Sequence, residues 1–187
     1  MARPKEFQVD EALNRAMEAF WERGFEATSL QDLTERTGVQ KASLYGTFGD
    51  KRSFFLQSLR RYQDEGAAKL AEHLAQAGPV REVIRSLMLV PLNCQGKGCF
   101  CVNTQVELAS HDPEIAQTLH DHFTRTTDTI GVALQRGVDS GEFRPELDVC
   151  ATAEHVLTLL YGLYVVSKGR TDNRSIAMMA SVFVDSL

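Results

Sequence analysis

An all-α fold is what this sequence predicts, and three observations carry that expectation. Apolar residues recur at helical spacing through nearly the whole chain, strand-like alternation of useful length is absent, and a glycine, a proline or an N-capping residue punctuates each helical stretch. With 43% hydrophobic and 24% charged residues, the 187-residue chain has the composition of a packed protein rather than a disordered one. About nine helices are expected: a short three-helix N-terminal domain of helix-turn-helix form, and a C-terminal helical bundle.

The first helix is expected from about Asp10 to Arg23, with Leu13, Ala16, Met17 and Phe20 on one face. Gly24 then stops it, because glycine takes left-handed backbone angles at no steric cost. Ser29 and Asp32 form a capping-box pair at the start of a second helix that points Leu30 and Leu33 inward. Gly38 makes the next turn with Val39 packed beneath it, and a third helix covers about Gln40 to Thr47. Asp50 caps a long fourth helix from Lys51 to about Ala77, which the Gly78-Pro79 break ends. A helix over Val80–Asn93 follows, then a glycine-containing loop at 95–98 and a short helix over Cys99–Ala109. Asp112-Pro113-Glu114 is a strong helix start, with a capping acid, a proline in the first position and an acid in the first turn. That helix is expected to reach about Ser140 before Gly141, and two more follow, Asp148 to about Lys168 and about Arg174 to Leu187.

Composition also excludes function classes. There is no run of about 18 apolar residues to span a membrane, and the N-terminus lacks the apolar core of a secretory signal, so a cytoplasmic protein is expected. The net charge of −5 argues against a nonspecific nucleic-acid binder. Its distribution matters more. Residues 1–62 hold ten Lys/Arg against nine Asp/Glu, and residues 63–187 hold ten against sixteen. Lys41, Lys51 and Arg52 cluster about one loop where only Asp50 opposes them. Specific DNA binding needs such local positive charge at phosphates, and an acidic remainder would orient the molecule on the duplex.

The stretch from Thr28 to Lys51 is the most informative. Two short helices about a tight turn, followed at once by a third, place one helix in the major groove. Ala42 is small where that helix must approach a neighbour, while Gln40, Lys41, Ser43 and Leu44 are read as lying toward the groove. Tyr45 and Lys51 are placed to touch phosphates, Thr28 at the start of the second helix is read the same way, and Thr47 offers a small hydroxyl contact. Each of these residues has a plainer reading as a solvated surface side chain.

The run from Gly24 to Phe55, GFEATSLQDLTERTGVQKASLYGTFGDKRSFF, resembles the N-terminal domain of the TetR family of bacterial transcriptional regulators. The resemblance covers about residues 10–56 and rests on Gly24-Phe25, Leu33, Gly38-Val39, Leu44-Tyr45, Phe48 and Lys51. One departure is Gly46-Thr47, which stands where the family usually carries an aromatic residue and a His or second aromatic. The resemblance implies a DNA-binding domain at 1–50 and an effector-binding and dimerisation domain at 51–187. It implies a homodimeric repressor on a palindromic double-stranded operator, released by a small molecule or by modification of a cysteine. Dimerisation through the last two helices is implied as well. Val156, Leu160, Leu163 and Val166 with Met178, Met179, Val182 and Phe183 supply the apolar surface for it, or else belong to the chain's own core.

Gly98-Cys99-Phe100-Cys101-Val102-Asn103-Thr104 is the second informative stretch, similar to the helix start at which electrophile- and oxidant-sensing family members carry a cysteine. Cys99 at a helix N-terminus gains thiolate character from the helix dipole, with Lys97 and Lys168 as candidate cations. The competing reading makes Cys99 a small hydrophobe in a cavity wall. Cys101 and Cys150 read as core, and Cys94 is open. Phe100, Phe123, Tyr161, Tyr164 and Met88 are candidate walls for an effector cavity, with Asn103, Gln105 and Glu107 as its polar contacts; ordinary packing competes for each. A metal-responsive alternative uses Cys94, Cys99 and Cys101 with His111, His120 and His122, but the C-x4-C-x-C spacing lacks the paired form of structural zinc. A cysteine-dependent enzyme would need a His and an Asp or Asn at motif spacing, and none is placed so. No catalytic residue, metal or cofactor is therefore expected.

Overall fold

The computed structural model describes residues 3–94, 96–169 and 173–187. Among them stand nine α-helices and one 3-10 turn, with no strand. The helices are α1 (Arg3–Arg23), α2 (Leu30–Thr37), α3 (Lys41–Phe48), α4 (Lys51–Leu74) and α5 (Val80–Met88), then α6 (Phe100–Leu108), α7 (Pro113–Asp139), α8 (Val149–Ser167) and α9 (Asn173–Asp185). Residue 95 of the expected 95–98 loop lies outside the described residues.

The expected starts and stops are present in detail. Ser29 and Asp32 close the capping box of α2, and the Asp50, Asp112 and Asp148 side chains accept from the backbone N–H groups of Ser53, Ile115 and Ala151. Gly24 and Gly38 take φ of +85° and +70°, the left-handed angles that let the chain leave α1 and α2. Two boundaries differ most: α1 begins at Arg3, seven residues before the expected Asp10, and the helix after Pro79 ends early. The helix expected over Val80–Asn93 ends at Met88 and tightens into a 3-10 turn over Val90–Asn93. Pro91 has no N–H to continue an α-helical ladder, and it sits inside that turn.

Two apolar cores are stacked along the molecule. The first joins α1–α4 to α6 and the start of α7: Phe20, Phe54, Phe55, Leu33 and Leu44 with Phe100 and Ile115. Its aromatic contacts are close, Phe20 edge-on to Phe55 at 5.1 Å and Phe48 stacked on Phe54 at 4.1 Å. The second core fills α5, α7, α8 and α9 with Ile84, Met88, Ile130, Leu134, Leu157, Ile176 and Val184. Tyr161 and Tyr164 of α8 border both cores. The seam between the cores is where the fold leaves space.

Candidate functional site

The helix expected to enter the groove is α3, eight residues long and held from beneath. Leu44 and Phe48, four apart on one face, are 2% and 5% exposed in the first core. The opposite face, Lys41, Ala42, Ser43, Tyr45, Gly46 and Thr47, is exposed. Gln40 precedes it as N-cap with no capping hydrogen bond from its side chain, which leaves the amide available. Lys41 lies 5.8 Å from the Tyr45 ring centroid and Lys51 lies 4.3 Å from that of Phe25.

Four expectations are corrected here. Leu44 does not face outward, because its position one helical turn from Phe48 commits it to the core. Thr28 is fully buried and its hydroxyl donates to the Gly24 carbonyl at 2.6 Å, so it closes the α1–α2 turn instead of presenting a hydroxyl. Ala42 is exposed on the outer face of α3, away from the core that Leu44 and Phe48 enter. Arg52 is turned away from the Lys41–Lys51 surface: its guanidinium binds both Asp112 oxygens at 2.9 Å and reaches Glu114 at 2.8 Å, tying the start of α4 to the start of α7.

The seam holds a cavity of about 370 Å³ with a mostly apolar wall. Cys99, Tyr161 and Tyr164 line it as expected, together with Met17 and Trp21 of α1, Tyr62, Leu70 and His73 of α4, and His122 and Thr126 of α7. A larger groove of about 770 Å³ runs along the outside of α4 and α7, between residues such as Arg60, Gln117 and Arg125, and is open to solvent and polar. The cavity, not the groove, contains the cysteine.

Cys99 is the N-cap of α6 and 6% exposed. The Tyr62 hydroxyl donates to its sulfur at 3.6 Å. Its thiol is lowered to about 7, chiefly by a hydrogen bond from the Cys101 thiol, then by the Val102 N–H, Tyr62 and the Cys101 N–H, against the opposing effect of burial. Cys101 is raised in turn by that same hydrogen bond and by burial. The expected Lys97 assistance is not what the geometry provides. Lys97 donates to Glu18 at 2.7 Å and lies 3.1 Å from Glu22, 5.3 Å from the Trp21 ring. Burial keeps the Tyr161 and Tyr164 hydroxyls protonated and lowers His122 to about 4.

Several expected cavity residues do other work. Phe100 packs in the first core, 5.5 Å from Phe55, and Met88 is buried in the second. Phe123 meets Tyr161 edge-on from outside the cavity wall. Asn103 donates to the Lys97 carbonyl at 3.0 Å and accepts from the Lys168 ammonium at 3.1 Å, so both side chains tie the 96–98 loop to the end of α8. Glu107 reaches toward the α1–α2 turn and away from the cavity, and Gln105 is exposed. Cys150 is exposed, Cys94 half-buried. Among the expected dimer contacts, Val156, Leu160 and Leu163 are 0%, 6% and 1% exposed in the chain's own core, and Leu160 also lines the cavity. Val182 is 69% exposed, and Met179 and Phe183 are half-buried. Among the described residues no group of three His, Cys, Asp or Glu stands ready to hold a metal ion.

Comparison with known proteins gives a consistent result. Residues 12–57 match the family described as bacterial regulatory proteins, tetR family, and residues 90–183 match the tetracyclin repressor-like C-terminal domain. The chain is 34% identical over 178 residues, 92% of each chain, to the uncharacterized HTH-type transcriptional regulator YezE of Bacillus subtilis (strain 168). It is 33% identical over 172 residues to the HTH-type transcriptional repressor ComR of Escherichia coli (strain K12), spanning 89% of this chain and 82% of that one. Among solved structures, it superposes with a TM-score of 0.82 and 25% identity, over 95% of each chain, on a cysteine-substituted variant of the regulator CifR complexed with 26-base-pair operator DNA.

Proposed function

This chain belongs to the TetR family of bacterial DNA-binding transcriptional regulators, and on that premise we propose that it is a homodimeric repressor released from a palindromic operator through its cavity. Residues 1–50 bind the DNA; residues 51–187 sense and dimerise. The observation that carries the DNA reading is α3 itself, anchored by Leu44 and Phe48 while Gln40, Lys41, Ser43, Tyr45 and Thr47 stand free toward solvent. An amide, an ammonium and hydroxyls are what base edges and phosphates accept. Lys51 adds a phosphate contact from the start of α4. A repressor among the relatives and an operator complex among the structural neighbours support the same reading. A DNA-binding regulator works beside the chromosome, in the cytoplasm.

The release half of the proposal rests on the cavity. Its mostly apolar wall, with three tyrosines and with Glu18, Glu65, Lys69, His73 and His122 among its polar side chains, suits a small aromatic or carbonyl compound. Cys99, with its lowered thiol, supports covalent modification there. With N-ethylmaleimide, the thiolate forms an S–C bond to the alkene carbon, the π pair moves toward the imide carbonyl, and water supplies the proton to the neighbouring carbon. A filled or modified cavity alters the spacing of the two heads, a coupling of about 1–3 kcal/mol in such systems. We propose no enzymatic role: His122 shares the cavity with Cys99, but a histidine lowered to about 4 is a weak base.

The test is a mobility shift on duplexes from the protein's own promoter region. A sequence-selective shift is expected, and its absence at every salt concentration would overturn the DNA reading. N-ethylmaleimide is expected to release the bound duplex from the unmodified protein but not from Cys99→Ser. Equal release from both would leave Cys99 a packing residue.

A further inference from the structure

α1 carries the DNA-binding head and α6 carries Cys99 at its start, and the two segments are joined by polar contacts at both ends of α6. At the first end, the Trp21 indole N–H donates to the Gly98 carbonyl at 3.1 Å. At the other end, in the last turn of α6, the Glu107 carboxylate spans to the turn between α1 and α2. Its Oε2 accepts from the Phe25 N–H at 3.0 Å and its Oε1 from the Glu26 N–H at 2.8 Å. These donors lie just beyond the C-terminus of α1, where the left-handed turn at Gly24 carries their N–H groups off the helical ladder. A single carboxylate receiving two backbone N–H groups from another domain is a charge-assisted clamp with fixed direction.

Gly24 makes room for it. A Cβ on Gly24 would lie 2.7 Å from Glu107 Oε2 and 3.0 Å from Oε1, so a side chain there would push the carboxylate aside, while the φ of +85° itself favours glycine. The clamped turn leads straight to the DNA side of the head. The Phe25 ring packs edge-on against Phe55 at 5.1 Å and carries the Lys51 ammonium 4.3 Å from its centre.

We propose that Glu107 is a positioning residue for DNA binding: from α6 it fixes the α1–α2 turn, and with that turn the attitude of α2 and α3 toward the duplex. The proposal rests on the DNA-binding reading and not on any role of Cys99. It also gives α6 a route to the head that does not pass along α4, since a shift of α6 pulls on the turn directly. Glu107 is half-buried and contributes nothing to the aromatic core between α1 and α4, so its removal loosens the head without dismantling it.

The experiment uses the full chain as unmodified protein, Glu107→Ala and Glu107→Gln. The probe is a duplex enriched by the unmodified protein from a random-sequence library. Glu107→Ala is expected to bind this duplex about tenfold more weakly, and Glu107→Gln by less, because the amide oxygen keeps one acceptor. Amide hydrogen exchange at Phe25 and Glu26 should quicken in the same order, with far-UV helicity unchanged. Emission of Trp21, the chain's only tryptophan, should stay unchanged in both variants because its contact with Gly98 remains. Three results would overturn the proposal: unchanged affinity in Glu107→Ala, weakened affinity with unchanged exchange at Phe25 and Glu26, or weakening that merely follows lost helicity in both variants. If the unmodified protein enriches no duplex at all, the DNA-binding reading falls and this proposal with it.

Discussion

Lys41 and Leu44 are three positions apart on α3 and do opposite work, one presented to solvent and the other 2% exposed. Leu44→Ala should cost about 2–5 kcal/mol of folding stability, the usual price of a buried leucine, and lower the melting temperature of the head. Lys41→Ala should leave melting unchanged and weaken duplex binding; comparable losses of stability in both variants would contradict the division. The spacing of Leu44 and Phe48 was legible in the sequence, and applying it strictly would have moved Leu44 inward. The partner of the Thr28 hydroxyl was not legible, since it depends on where the Gly24 carbonyl points after a left-handed turn. Trp21 and Tyr62 escaped as cavity residues for a related reason: helical periodicity gives their face, but only packing says that this face borders a seam between two cores. At Cys99 the sequence indicated the helix N-terminus, while the stronger influence, the Cys101 thiol two residues on, came from side-chain geometry. The rate of Cys99 alkylation by iodoacetamide should therefore reach half its maximum at about pH 7, because a lowered thiol is already half thiolate there. Cys101→Ala removes the largest favourable contribution and should move that midpoint upward; an unmoved midpoint would show that Cys101 does not tune it.

Helix starts were the most legible elements, because each is written in two or three adjacent residues. Ser29 with Asp32, Asp50, and Asp112 before Pro113 all cap as their sequences indicate. The end of α5 was harder: Pro91 marks the break, but apolar residues at helical spacing continue on both sides of it and mask the change to a 3-10 turn. The caps have a consequence in acid. Asp32 is lowered to about 2 by the Ser29 hydroxyl and N–H, Asp50 is lowered by the Ser53 N–H, and Asp112 is lowered by the Arg52 guanidinium. A carboxyl depressed in the folded state contributes fully above its unfolded value of about 3.9 and loses that contribution as pH falls through the folded value. Far-UV helicity followed from pH 7 downward should accordingly hold to about pH 4 and fall toward pH 2 as α2, α4 and α7 lose their caps. Asp32→Asn should remove the part of this loss nearest pH 2, and helicity that already declines above pH 5 would assign acid sensitivity to other groups.

At the scale of the whole molecule, charge and apolar surface are divided between two ends. Repulsion between the acidic remainder of the chain and phosphates would leave contact with DNA to the head. At the far end α8, although Glu154 and His155 interrupt its apolar run, is long and apolar enough by length and composition to match a membrane span, and most of it is not buried within the chain. Its inward residues Val156, Leu160 and Leu163 complete the second core, which leaves Leu159 and Val166 half-covered and Val165 54% exposed. Met178 and Val182 of α9 are 62% and 69% exposed. A two-fold contact with a second copy would cover the outward residues of both helices together, and it would place two copies of α3 on one duplex. Of the α8 residues expected at this contact, Val156, Leu160 and Leu163 point inward, which was not legible in the sequence because an almost uniformly apolar helix offers no polar face to orient it. The distinction can be measured by sedimentation equilibrium with circular dichroism on the same samples. Val182→Glu should shift the protein from dimer to monomer with its helicity intact, and duplex binding should weaken as the second half-site is lost. Leu163→Glu should instead lose helicity, since it buries a charge at a position 1% exposed. If Val182→Glu remains dimeric, the two-fold contact lies elsewhere, and the exposed face of α8 and α9 needs another occupant.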